Sequence, residues 1–316
     1  MSRPRLVWTT LGLVVLALVT GVVAYVAMRS TAPLPAPTPQ GSALAGPASV
    51  EPTPTSTGQP SDGRVQAVEP PLALANARVA YRGTVGACDD QATLERSVDG
   101  GRSWRPVRLP VRQLLTLRAV PPSGVDLVGS GSPDGAGCRT ATWTSTSAGR
   151  SWDGPAAASA QWYRDPDRPR EVHTPTGPVP TPCANPNLAA VELVGLSATD
   201  AAVLCPKGQV LRTVDGGISW IRMAVVPGAV ALAWESRDLG WLLDVSDAQC
   251  PSVRLLQSVD GGRTWRVGGC LGLLPVRPAE GLLPSLAFAD GDIGMAVVGG
   301  DVYTTEDGGY GWRQVG

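Results

Sequence analysis

The chain has 316 residues and a formal net charge of −1 at pH 7, from 26 Lys and Arg against 27 Asp and Glu. This balance provides no basic field that would attract nucleic acid, so we expect no nucleic-acid partner. The 38 Gly and 30 Pro residues are typical of a chain with many turns and a linker.

The N-terminus carries an uncharged apolar run, residues 6–28, after Arg3 and Arg5. As a helix, such a run of roughly 23 residues would be about 34 Å long, enough to span the hydrocarbon core of a bilayer. A cleaved signal peptide is the alternative, although its apolar region usually has only about 7–15 residues. The preceding arginines place residues 1–5 in the cytoplasm. The sequence therefore predicts a single-pass transmembrane helix, with the membrane as partner and the rest of the chain extracellular.

A linker and one domain follow. Residues 29–62 consist mainly of Pro, Ala, Ser, Thr and Gly. Such a segment cannot bury enough apolar surface to offset the entropy of ordering, so we predict a disordered linker. Residues 63–316 are long enough for one large domain with its own core.

The domain repeats one eight-residue motif, here called the turn motif. It reads "SVDGGRSW" at 97–104, "TVDGGISW" at 213–220, "SVDGGRTW" at 258–265 and "TEDGGYGW" at 305–312, with a worn copy, "STSAGRSW", at 145–152. Its third position falls at residues 99, 147, 215, 260 and 307, at intervals of 48, 68, 45 and 47. Repeats of this length indicate a solenoid, a propeller or an array. The long interval predicts an insertion, and a degenerate sixth repeat built from residues 158–186 stays open.

One repeat shows what the unit is. The fourth contains the β-like runs "AVALAWES", "LGWLLDVS" and "SVRLLQSVD", followed by the turn motif and "WRVGG". Four antiparallel strands in about 45 residues are typical of a propeller blade. Helical periodicity is absent outside the N-terminal run. The sequence therefore predicts an all-β propeller of four-stranded blades, five of them carrying the turn motif.

The residue types of the turn motif suit a tight hairpin. Its glycines allow positive φ, its Asp and Ser or Thr can hydrogen-bond to turn amides, and its Trp can cover the hairpin. We therefore assign these positions a structural role: Ser97, Asp99, Gly101, Trp104, Thr213, Asp215, Gly217, Trp220, Ser258, Asp260, Gly262, Trp265, Thr305, Asp307, Gly309 and Trp312.

The pattern Ser/Thr-x-Asp-x-Gly-x-Ser/Thr-Trp resembles the Asp-box, or BNR, repeat of the sialidase-like propeller superfamily. That superfamily also contains sortilin-like propellers and propellers similar to photosystem II assembly factors. The resemblance covers residues 64–316 and, with the N-terminal run, suggests a membrane-anchored bacterial type. It implies that the motif turns lie on the rim, away from the ligand face.

Six cysteines lie beyond the linker, and an even number in an exported domain indicates disulfides. Four of them precede the third position of the turn motif in their repeat by 9–11 residues. This spacing places them between the second and third strands. The other two fall in connections between blades, which share that face. We predict the pairs Cys183–Cys205, Cys250–Cys270 and Cys88–Cys138. Zinc is the alternative, but no C-x-x-C pair is present; we expect no metal and no cofactor.

Function is less constrained by the sequence. Sialidases carry an Arg-Ile-Pro segment before the first Asp-box, which this chain lacks. The single histidine, His173, has no catalytic partner at a telling spacing, and we assign no catalytic residue. We expect a non-enzymatic recognition or assembly module of the cell envelope with an unknown protein or glycan ligand. A sialidase-like exo-glycosidase and a purely structural envelope protein are the alternatives.

Residues 161–183, here called the inserted segment, are extra length that the repeat does not require. Long irregular segments in compact domains are disproportionately functional, and Trp, Tyr and Arg often anchor interfaces. We therefore name Trp162, Tyr163, Arg164 and His173 as candidate binding residues, on the face opposite the motif turns. In the competing interpretation, Trp162 and Tyr163 pack over the gap between two blades and close the ring.

Overall fold

The computed structural model describes residues 71–131, 137–158, 161–246, 250, 253–272 and 283–315. The predicted transmembrane helix at 6–28 and the linker at 29–62 lie outside these residues. Within the described ranges there is no α-helix, and no segment could cross a membrane as a helix.

The described residues form five four-stranded antiparallel sheets, each built from consecutive strands. Blade 1 comprises β1 (Leu72–Leu74), β2 (Ala80–Gly83), β3 (Leu94–Ser97) and β4 (Arg105–Val107). Blade 2 comprises β5 (Gln113–Val120), β6 (Gly124–Ser130), β7 (Thr140–Ser145) and β8 (Asp153–Ala157). A two-stranded sheet follows, with β9 (Glu171–Thr174) and β10 (Gly177–Pro180).

The remaining strands complete three further blades. Blade 3 comprises β11 (Glu192–Gly195), β12 (Ala201–Cys205), β13 (Gln209–Thr213) and β14 (Ile221–Val225). Blade 4 comprises β15 (Ala229–Trp234), β16 (Gly240–Asp244), β17 (Val253–Ser258) and β18 (Arg266–Leu271). Blade 5 comprises β19 (Ser285–Phe288), β20 (Gly294–Val298), β21 (Asp301–Thr305) and β22 (Arg313–Val315). The prediction of an all-β propeller with five four-stranded blades is confirmed.

Burial explains why the strands differ in composition. The second strands of blades 3, 4 and 5 are buried at every position and read "AAVLC", "GWLLD" and "GMAVV". A strand covered on both faces is a continuous apolar run, whereas one-sided burial gives alternation. The fourth strands lie at the sheet edges and are mostly exposed. Each blade therefore packs its middle strands between its neighbours and leaves its outer strand on the rim.

The first strands surround the axis of the propeller. β1 packs against β5 and β19, and β15 packs against β19 and β11. Apolar clusters fill the interfaces between successive blades: Trp241 and Tyr303 belong to the cluster of blades 4 and 5, and Tyr81 and Leu127 to that of blades 1 and 2. Blades 2 and 3 are separated by the inserted segment, whose Val172 packs with blade 3. The segment thus occupies the place of a blade in this series of interfaces.

The three predicted disulfides are confirmed. The Cα atoms are 5.8 Å apart in Cys88–Cys138, 5.5 Å apart in Cys183–Cys205 and 5.7 Å apart in Cys250–Cys270, separations usual for disulfides. Contrary to expectation, Cys270 lies inside β18 and not in a connection between blades. Cys88–Cys138 links the second-to-third-strand connections of blades 1 and 2, so it joins two blades covalently.

Candidate functional site

The turn motif of blade 4 shows how its side chains hold the hairpin. The Ser258 hydroxyl donates to Asp260 Oδ1 (2.9 Å) and accepts from the Gly262 amide (2.8 Å). Asp260 Oδ1 also accepts from the Thr264 amide (2.9 Å). The Trp265 indole donates to the Gly262 carbonyl oxygen (3.1 Å), and Gly262 has φ 87°, a value that favours glycine. These groups therefore satisfy amides that no strand neighbour reaches.

The contacts of the Asp and of the Ser or Thr recur in blades 1, 3 and 5, and they keep the carboxylates ionised. The indole bond recurs in blades 1 and 5, whereas the buried Trp220 Nε1 of blade 3 has no partner among the described residues. Hydrogen bonds from Ser103, Ser219 and Thr264 lower the pKa of Asp99, Asp215 and Asp260 to about 2. The pKa of Asp307 is lowered chiefly by the Gly311 amide. A carboxylate that already accepts several hydrogen bonds from its own turn is poorly suited to donate a proton. The geometry gives these residues a role within the hairpin.

The degenerate turn motif of blade 2 forms the same turn although it has no Asp carboxylate. The Ser145 hydroxyl accepts from the Gly149 amide (2.8 Å), and the Ser147 hydroxyl accepts from the Ser151 amide (2.9 Å). Ala148 stands where the other copies have glycine and adopts φ 61°, a region that costs non-glycine residues energy. The hairpin is thus preserved, and its surface loses a carboxylate.

The inserted segment brings three of the four candidate binding residues together but buries them. Trp162 and Tyr163 are 6% and 7% exposed, and His173 is 9% exposed. Tyr163 and His173 form a β-bridge, and their rings stack with centroids 4.2 Å apart. Burial raises the pKa of Tyr163 and lowers that of His173. This burial favours the interpretation in which the aromatic residues pack between blades over direct contact with a ligand.

The Trp162 side chain packs between Trp220 and Gly195 of blade 3. Its ring meets that of Trp220 edge-on, with centroids 6.0 Å apart at 83°. In blade 4, Trp234 and Trp265 form the same arrangement, at 5.9 Å and 82°. Blade 3 has Gly195 at the position of Trp234, and a Cβ there would collide with the Trp162 ring. The inserted segment therefore supplies an aromatic ring that blade 4 takes from its own first strand.

Trp162 also corrects our expectation about the face. Its indole donates to the carbonyl oxygen of Ser197 (2.6 Å) in the hairpin between β11 and β12. The ring lies beside Gly217 of the blade 3 turn motif. This part of the inserted segment therefore lies on the side of the motif turns, whereas its far end is held by Cys183–Cys205.

Arg164, the fourth candidate, belongs with Glu192 to a partly buried charged pair near the axis. Its guanidinium donates to the Ala190 carbonyl oxygen (2.8 Å) and lies close enough to Glu192 to favour the charged carboxylate. Glu192 Oε2 accepts from the Leu232 amide (2.7 Å) and so connects the first strands of blades 3 and 4. Burial is the larger effect and raises the pKa of Glu192 to about 7.

Grooves open between neighbouring blades on the motif side. One, of about 630 Å³, lies between blades 1 and 2 and is here called the arginine groove. Its lining includes Arg96, Arg105, Arg108, Arg150 and the single acidic residue Asp99. Sequence reasoning missed this site, because the four arginines come from a strand pair, a connection and a neighbouring turn.

A second groove, of about 360 Å³, lies between blades 5 and 1. Its charged lining residues have both signs: Arg78, Arg102, Arg313, Asp99 and Glu306. Three arginines and two acidic residues leave a net charge of +1 there, whereas four arginines and one aspartate leave +3 in the arginine groove. Within the described residues, no group of three His, Cys, Asp or Glu side chains is placed to hold a metal ion.

The topology and the grooves between blades define the class of protein as a five-bladed β-propeller. No protein-family model matches the chain, and no curated protein matches it. Among solved structures it is similar to a GH74 xyloglucanase from Xanthomonas campestris (17% identity, TM-score 0.31) and a GH74 enzyme from Niastella koreensis (13%, 0.41). It is also similar to YCF48 from Cyanidioschyzon merolae (16%, 0.32).

These alignments cover 77% of this chain in each case. They cover 38% and 46% of the two GH74 chains, so this chain spans less than half of their length, and 70% of the YCF48 chain. At these identities and TM-scores the similarities carry no argument about activity. Function must therefore be argued from the residues of this chain.

Proposed function

We propose that the chain is a non-enzymatic recognition or assembly module of the cell envelope. In this proposal the turn motifs are Asp-box repeats, residues 6–28 anchor the chain in the membrane, and residues 29–62 hold the propeller outside the cytoplasm. The three disulfides support an oxidising compartment, because cytosolic thiols are kept reduced.

The arginine groove is the observation that supports binding. It is a concave surface of about 630 Å³, within the size range of ligand sites. Its charged lining consists of four arginines and one aspartate, and that aspartate is engaged by its own turn. A surface with fixed cations and no free carboxylate is suited to holding an anionic or polar partner, not to acid–base chemistry.

One observation favours the sialidase-like alternative. The pKa of Glu192, about 7, is in the range that a catalytic carboxylic acid needs near neutral pH. Its oxygen is, however, bonded to a backbone amide, and the neighbouring Arg164 is bonded to a carbonyl oxygen. The pair therefore has an evident structural role in joining two blades.

The test compares binding with turnover in the full chain. We expect the detergent-solubilised chain to co-sediment saturably with detergent-extracted, insoluble envelope material, and to stay in the supernatant when that material is omitted. We expect no release of fluorophore from fluorogenic sialosides. Turnover that disappears in a Glu192→Gln variant would establish the enzyme alternative, and absence of saturable envelope binding would contradict the recognition function.

A further inference from the structure

The arginine groove contains two like charges directly opposite each other. Arg96 in β3 is the cross-strand partner of Arg105 in β4, and like charges in such pairs are destabilising. The equivalent pairs in the other blades are Thr144–Asp153, Arg212–Ile221, Gln257–Arg266 and Thr304–Arg313. Blade 1 alone among the described blades places two cations there, so its groove carries a repulsion that the fold does not require.

No carboxylate of the described residues forms an ion pair with these cations. Asp99, the acidic lining residue, accepts hydrogen bonds from Ser97 (2.8 Å) and from the Ser103 amide (2.9 Å). None of the four lining arginines forms an ion pair with a described residue, and within that part of the chain the buried Nε of Arg96 has no hydrogen-bond partner. By contrast, Arg82 on the other face of blade 1 pairs with Glu95 at 2.7 Å.

The opposite wall of the groove explains the missing charge. It is formed by Ala148, Gly149 and Arg150 of the worn turn motif in blade 2. The carboxylate that this motif has in every other blade is replaced by Ser147, which holds the turn through its hydroxyl. The same substitution therefore keeps the hairpin and leaves this turn without the carboxylate that the other turn motifs carry.

The number of guanidinium groups in the groove indicates which kind of anion it suits. Four arginines and one aspartate leave three uncompensated positive charges. A single carboxylate occupies one guanidinium fork, whereas a phosphate group offers several acceptor oxygens to several forks. Arg105 and Arg108 are three residues apart, roughly 10 Å along an extended chain, so the groove has room for more than one phosphate. The apolar side chains Val98 and Val107 are suited to the carbon atoms between phosphates.

We propose that the arginine groove binds the phosphate groups of a linear, phosphodiester-linked polymer of the cell envelope. This proposal rests on the proposed recognition function and names its ligand class. Arg96 and Arg105 form the central cradle, and Arg108 and Arg150 hold the polymer on either side.

The experiment uses the full chain and isothermal titration calorimetry at low ionic strength, with inorganic phosphate, poly(glycerol phosphate) and poly-glutamate as probes. We expect poly(glycerol phosphate) to bind at least about tenfold more tightly than inorganic phosphate, because linked groups bind with a high effective concentration. Arg96→Gln and Arg105→Gln should each weaken binding about tenfold or more, the usual effect of losing a hydrogen bond to a charged group. Arg78→Gln, in the neighbouring groove, is the matched control and should change the affinity less than about twofold.

Each alternative outcome is distinct. Equal binding of poly-glutamate, or an equal loss in Arg78→Gln, would overturn the proposal in favour of an acidic peptide or of non-specific charge. The two cradle variants should not lower the melting temperature, since each removes a like-charge contact; if either does, the exposed Arg150→Gln replaces it. If the chain binds envelope material but no phosphate probe, this proposal alone is wrong; if it binds neither, the recognition function is wrong as well.

Discussion

Replacing Trp162 with Ala should lower the free energy of unfolding by about 4 kcal/mol. The side chain is 6% exposed, and truncation of a buried Trp typically costs about 3–5 kcal/mol. That cost includes the hydrogen bond to Ser197 at 2.6 Å and the edge-on contact with Trp220, each worth roughly 1 kcal/mol. The cavity cannot be refilled locally, because the residue beneath the ring is Gly195.

The measurement is denaturant unfolding of the full chain, followed by far-ultraviolet circular dichroism. The control is Ile218→Ala, which truncates an apolar side chain that is 84% exposed and should change stability by less than about 0.5 kcal/mol. A loss below about 1 kcal/mol for Trp162→Ala would refute the packing argument. If Trp162→Ala abolished envelope binding with so small a loss of stability, Trp162 would instead be a residue that contacts the ligand.

Three further predictions concern single residues. Ala148→Gly should raise the free energy of unfolding by roughly 0.5–1 kcal/mol. The relief of backbone strain at φ 61° exceeds the entropy that glycine loses on folding. A decrease in the same unfolding assay would contradict this. The pKa of Asp260, lowered from 3.8 to about 2, gives stability that is present above about pH 4 and lost towards pH 2. In Asp260→Asn, the free energy of unfolding should therefore fall less steeply between about pH 4 and pH 2. An unchanged fall would count against a role of Asp260 in stabilising the turn. The pKa of Glu192, raised from 4.5 to about 7, gives stability that is present below about pH 4.5 and lost as the pH rises to 7; Glu192→Gln should remove that fall, and its persistence would argue against burial as the cause.

The fold could be predicted from the sequence because the turn motif marks the same point in every repeat. Once Asp215 and Asp260 fix the register, the strands before them and the positions of Cys205 and Cys250 follow by counting. That is why the disulfide pairs could be predicted from spacing alone. Cys270 was misplaced because the length of the fourth strand, which extends to Leu271, leaves no mark in the motif.

The candidate sites were harder to predict, since they depend on contacts between repeats. Trp162 resembles an interface residue in sequence, and its burial follows from the absence of a side chain at Gly195. To predict that Arg96 pairs with Arg105, one must know how many residues the turn between β3 and β4 contains. A comparison of the third and fourth strands of all five blades at these paired positions would have shown that blade 1 alone has two arginines there.

The packing of Trp162 against Gly195 also bears on how this propeller can change over evolutionary time. Neither position can acquire the other's residue alone: a large side chain at 195 would collide with the indole, and loss of the indole would leave a cavity. A coordinated exchange, with the aromatic residue moving to 195 and a small one taking position 162, would restore the slot as blade 4 has it. Homologues of this chain should therefore show the two positions alternating as a pair, and the inserted segment should become free to vary in length wherever blade 3 carries its own aromatic residue.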